Sequence, residues 1–170
     1  MVSSYVRIRC PLEEAMARYG RWIGQPELEP RRLVAERENI DLALEDGDWL
    51  GLAVFVYASG PWTVFEELSG GLAQRSTESW LELARGGDLV YAGYNDSVPY
   101  AQLLVIEQGR LIRQYLQDEQ DSSEDVDVGR LPEEARRPFR DWVDAMGWVE
   151  ADEDKLARPR QGWLWIHRSA

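Results

Sequence analysis

The sequence predicts an α+β fold: a single domain over residues 1–170 in which one mixed, mostly antiparallel sheet carries about three helices. Three observations predict it. Several short β-rich runs are joined by hairpin-type turn signals, notably Ser59-Gly60-Pro61 and Glu107-Gln108-Gly109. Three longer segments repeat apolar residues at helical spacing. The 170 residues show neither an internal repeat nor a linker-like boundary. A chain of that length buries roughly 70% of the surface its unfolded form exposes. A hydrophobic fraction of 44% and eight Trp supply the core.

The elements follow in order. Residues 5–10 alternate and are β-rich, which predicts a first strand. Arg7 and Arg9 on it are the residues expected to guard a sheet edge. Pro11 stands where a helix begins, and Leu12, Ala15, Met16, Tyr19, Trp22 and Ile23 form its apolar face. Gly24 and Pro26 end it, and 25–32 is a polar connection. The segment 33–47 fits either short strands or a helix, and Glu45-Asp46-Gly47-Asp48 is a turn.

Residues 49–57 are almost continuously apolar, as a buried central strand would be, and 62–68 form its antiparallel neighbour. A second helix is expected near 73–85, stopped by Gly86-Gly87. Strands follow at 88–94, 100–106 and 110–116, the last two as a hairpin. After an acidic loop at 117–130 comes a third helix over about 132–146, with Ala135, Phe139, Trp142, Val143 and Met146 as its stripe and Gly147 at its end. A charged tail leads to a terminal strand at 162–167.

Charge narrows the function. Thirty-one Asp and Glu face nineteen Lys and Arg, for a formal charge of -12. Such a chain repels phosphate, so nucleic acid is not an expected partner. A basic protein is, because complementary fields speed encounter and reject wrong partners. The acidity also serves plain solubility. No apolar run reaches the ~20 residues of a membrane span. The first ten residues carry Arg7 and Arg9 in place of a leader's apolar core, and Cys10 has no second cysteine to pair with. The expectation is a cytoplasmic protein with no cofactor.

No residue pattern announces a reaction: the P-loop, dinucleotide, nucleophile-elbow and zincin motifs are absent from the sequence. His167 has the chemistry of a general base but no nucleophile in sequence beside it, so a surface position on the last strand is expected. Cys10, ahead of a helix, reads as a small buried residue. Glu66, Glu67, Asp88 and Asp96 are the carboxylates that a hydrolase would use as a converging pair. Asp121, Glu124, Asp125 and Asp127 lack the order of a calcium loop. Together with Asp118 and Glu119 they instead form the candidate partner-binding set. Trp148, Trp163 and Trp165, less bound by helical periodicity, are candidate interface anchors.

Four stretches stand out together: residues 60–71 with Trp62-Thr63-Val64, residues 80–84, residues 88–100 with Gly93-Tyr94-Asn95-Asp96, and residues 109–116. They resemble a core block of small bacterial proteins similar to the immunity proteins that accompany polymorphic toxins and secreted antibacterial effectors. The resemblance implies a protein that binds one cognate toxin and blocks it; with no secretory signal expected, the toxin would be one that acts in the cytoplasm, such as a nuclease or a nucleotide-modifying enzyme. It carries over no catalytic residue. Two other functions remain compatible with the residues, a carboxylate-based hydrolase and a non-enzymatic regulatory adaptor.

Overall fold

A computed structural model describes residues 2–24 and 32–167. Pro26 and the connection at 25–31 lie outside the described residues. The chain runs β1 (Val2–Ile8), α1 (Leu12–Trp22), β2 (Arg32–Ala35), α2 (Asn39–Ala43), β3 (Leu44–Glu45), β4 (Asp48–Trp49), β5 (Leu52–Ser59), β6 (Trp62–Glu67), α3 (Thr77–Ala84), β7 (Leu89–Asn95), β8 (Tyr100–Glu107), β9 (Arg110–Asp118), β10 (Val126–Gly129), α4 (Trp142–Glu153) and β11 (Gln161–His167). Short 3-10 turns occupy Glu36–Glu38, Ser122–Glu124 and Pro132–Ala135.

Nine strands form one sheet in the order β10-β9-β8-β7-β1-β6-β5-β11-β2, with β3 and β4 as a separate hairpin. Every neighbouring pair is antiparallel, so the class holds while the sheet is not mixed. Among the described residues there are four α-helices, the additional one being the five-residue α2 from the ambiguous segment. The first strand corrects its expected place. β1 lies in the middle of the sheet, paired with β6 on one side and β7 on the other, so Arg7 and Arg9 guard no edge.

Strand alternation sends side chains to two faces, and both are covered. On one face α1 and α3 pack Met16, Tyr19, Trp80 and Leu83 against Val6, Ile8, Phe65, Tyr91 and Trp165. On the other, α4 packs Ala145 and Val149 against a layer that includes Tyr5, Val90, Ala92, Leu103 and Tyr115. The helices are therefore divided between the two faces of the sheet. Trp22 Nε1 donates to the Ser79 carbonyl at 2.8 Å and ties α1 to α3. Ser76 caps α3 by accepting from the Ser79 amide, and Arg85 closes it in the left-handed region.

The third predicted helix is displaced. Residues 132–135 form a single 3-10 turn, and the helix itself starts ten residues later, at Trp142. Pro138 offers no backbone donor and disfavours helical geometry at Arg137, which prevents one continuous helix. Asp141 supplies the start by accepting from the Val143 and Asp144 amides at 3.1 and 3.2 Å. Gly147 sits inside the helix, which takes in the first residues of the stretch read as a charged tail and ends at Glu153. The buried stripe is Ala145, Val149 and Asp152, while Val143 is 48% exposed.

Asp152 explains why a charge ends an apolar stripe. It reaches β1, where Arg7 Nε and Nη2 donate to its two oxygens at 3.0 and 2.8 Å. Tyr5 Oη donates to the same carboxylate at 2.7 Å. Burial first, then the Asp152 charge, raise the Tyr5 phenol well above its ordinary range. Among the described residues, no helix is long and apolar enough to cross a membrane.

Candidate functional site

The six nominated acids come together at one end of the sheet, where β9 passes through a 3-10 turn into β10. The stretch is not an open loop: Val126–Gly129 pair with β9 and form the terminal strand. Asp118 is half-buried, while Glu119, Asp121, Glu124, Asp125 and Asp127 are exposed.

Local hydrogen bonds build this frame. Asp118 Oδ1 accepts from the Gln120 amide at 2.8 Å, and the Asp118 amide donates to Asp125 Oδ1 at 3.1 Å. Asp121 accepts from the Ser123 amide at 3.1 Å, and bonds from Ser123 hold its carboxyl below the usual range. Glu119 Oε1 accepts from Trp142 Nε1 at 2.8 Å, which links the strip to the start of α4.

Asp127 differs from the other five. Its Oδ1 accepts from Arg113 Nη1 at 2.7 Å and from Arg130 Nη1 at 2.6 Å. Burial pushes its carboxyl up, but the hydrogen bonds and charges of the two arginines outweigh that and hold it low. Asp127 therefore fastens β10 to the sheet before it can present charge to a partner. Sequence reasoning passed over its anchor. Arg113 lies on β9 in phase with inward-facing Tyr115, and a charge at an inward strand position is a signal for a buried ion pair. Glu134 completes that pair, and also accepts from the Leu131 amide at 2.7 Å.

The hydrolase carboxylates do not converge. Glu66 and Glu67 are neighbours on β6, so their side chains leave opposite faces. Glu67 accepts from Ser4 Oγ and from the Leu72 amide, each at 2.7 Å. Glu66 senses Arg158 and Glu153 instead. Burial raises both carboxyls. Asp88 is held at the opposite end of the sheet from the acidic strip, by Arg9 at 3.2 Å and the Gln108 amide at 2.8 Å. Asp96 falls in the exposed turn after β7.

Two further expectations are corrected. His167 is 5% exposed, not on the surface. Its ring lies 4.7 Å from that of Trp165 and 5.8 Å from that of Tyr19, and burial lowers its pKa to about 4. Trp165 is fully buried in that cluster, and Trp148 and Trp163 are partly buried against the core, whereas Trp49 is 40% exposed. Cys10 is buried as expected, and burial raises its thiol. Among the described residues, no group of three or more His, Cys, Asp or Glu is placed to hold a metal ion. Compared with known proteins, the chain matches no family model, no curated protein and no solved structure.

Proposed function

We propose that this chain is a binding protein that docks a basic protein partner on the acidic strip 118–127, as an immunity protein would dock and neutralise a cognate antibacterial toxin. The observation that carries the reading is the folded frame of the strip. Four of the five exposed carboxylates, all but Glu124, are set by hydrogen bonds at a sheet edge that is itself clamped by Arg113. Charges fixed in advance lose little side-chain freedom on docking. They steer a basic partner from a distance and repel acidic ones, including a second copy of this chain. The divergence of Glu66 and Glu67 favours docking over carboxylate-based hydrolysis.

The test replaces Asp121, Glu124 and Asp125 with Ser and spares Asp127, whose loss would loosen β10. The partner captured by the wild-type protein from its own host is titrated against both proteins at low and high salt. We expect the association rate to fall about tenfold and its salt dependence to flatten. An unchanged rate with an unchanged salt slope rules the reading out.

A further inference from the structure

On the α4 face, at the end of the sheet away from the acidic strip, lies a cleft of about 630 Å³. It opens between β1, β6, β7, β8, the Pro132–Ala135 turn and the last turns of α4. Val90, Val105, Leu131 and Leu156 give it an apolar lining, with Trp62 and Trp148 as aromatic walls. That volume is in the range of small-ligand sites, which combine an apolar lining with a few fixed polar groups.

Arg7 is the fixed polar group. Asp152 holds it through Nε and Nη2, and Tyr5 Oη holds Asp152. Its guanidinium carbon lies 4.0 Å from the centre of the Trp62 ring. Both the in-plane bonds and the ring contact fix the guanidinium's orientation before any ligand arrives. Arg7 Nη1 is left without a hydrogen bond among the described residues, on a side chain that lines the cleft.

The remaining charges of the cleft are Arg9 and Lys155 against Asp88, Glu107, Glu133 and Asp152. Asp152 and Asp88 are already engaged by Arg7 and Arg9. Arg9 is 57% exposed and its guanidinium carbon is 6.0 Å from the Trp62 ring centre. Lys155, the one lysine of the chain, also lines the cleft. An adjoining hollow shares Pro132, Glu133, Trp148 and Lys155 with it and adds Arg136 and Arg137. Among the described residues Lys155, Arg136 and Arg137 make no ion pair, and of the acids lining the two hollows only Glu107 and Glu133 are not engaged by an arginine. The two linings together hold five cations and five acids, so the region is locally neutral in a chain of net charge -12, and its unpaired cations outnumber its unpaired acids three to two.

We infer that this cleft binds a small amphipathic anion: a flat apolar body carrying one carboxylate or one phosphate. The anionic head meets Arg7 Nη1 and Arg9, with Lys155 at the mouth, while the body lies on Val90, Val105 and Trp148. The site is separate from the acidic strip and stands or falls independently of a basic protein partner.

Calorimetric titration of the whole chain with phenyl phosphate, phenylacetate and benzylamine tests the inference. The expected result is saturable binding of at least one anion and none of benzylamine, which has a like body and the opposite charge. Phenyl phosphate alone identifies a phosphate head, and phenylacetate alone a carboxylate. Arg9→Gln, at an exposed position, should weaken the bound anion roughly tenfold. Arg7→Lys keeps the charge beside Asp152 but removes the Nη1 donor, and should weaken it similarly; a thermal melt shows whether that variant folds, and Arg9→Gln decides the question if it does not. Failure of both anions to bind, equal binding of benzylamine, or full affinity in Arg9→Gln overturns the inference.

Discussion

Arg113 donates through Nε and Nη2 to the two oxygens of Glu134 at 2.8 and 3.0 Å, and the two side chains are 0% and 2% exposed. A guanidinium fork on a carboxylate is the strongest neutralising geometry available to a buried charge. Here it fixes the outer end of the sheet. The same guanidinium continues through Nη1 to Asp127 and to the Val128 carbonyl, so β10 is held by its ladder and by a side chain from β9. The guanidinium carbon also lies 5.1 Å from the Tyr115 ring and 5.2 Å from that of Phe139.

Removing one partner of this pair should cost far more than removing both. Glu134→Ala leaves the buried guanidinium with only the half-exposed Asp127 as a charged partner and is expected to destabilise the fold by about 3–5 kcal/mol. The double variant Arg113→Met, Glu134→Leu should recover most of that loss, because no charge is then left unpaired. Urea unfolding of the three proteins checks the order. A double variant as unstable as Glu134→Ala would mean that the pair is needed for shape, not for neutralisation.

Gly129 ends β10 at φ 72°, a conformation that L side chains rarely adopt, and an added Cβ would collide with the Ile112 carbonyl of β9. Gly129→Ala should therefore strain this edge by about 1–3 kcal/mol and separate β10 from β9. Hydrogen exchange should quicken at the β10 amides and stay slow at those of β7 in the middle of the sheet. Unchanged protection in β10 would show that the edge is not held at this residue.

His167 gives the fold an acid sensitivity. Burial lowers its folded pKa to about 4, below the ordinary histidine value, so between these limits the unfolded chain binds the proton and the folded chain does not. The stabilisation is complete above the unfolded value and is lost as pH falls towards about 4, up to about 3 kcal/mol in all. Glu66 and Glu67, with raised carboxyls, contribute the opposite slope, but they do so equally in a His167→Phe variant. Between pH 7 and pH 4.5 the wild type should therefore lose about 2–3 kcal/mol more unfolding free energy than the His167→Phe variant. Parallel profiles would mean that the imidazole is not kept neutral.

The sequence by itself determined the kinds of element and most of their order. Alternation at 88–94, 100–106 and 110–116 and the reversal at Glu107-Gln108-Gly109 appear as β7, β8 and β9, because strand period and turn chemistry are local properties. The acids at 118–127 were equally legible, since net charge needs no structure. Two local signals were misjudged: Pro138 with Asp141 relocates α4, and inward-facing Arg113 announced a buried partner.

Tertiary structure alone decided which strands neighbour which. β1 stands between β6 and β7, and its Arg7 closes on Asp152 across 145 positions of sequence. It also decided that Asp127 is a clamp, that Glu66 and Glu67 face apart, and that Arg7, Trp62 and Trp148 line one cleft. The reason is physical. A residue's periodicity fixes the direction of its side chain, but burial and charge pairing are set by whatever segment is packed opposite, and no local pattern names that segment.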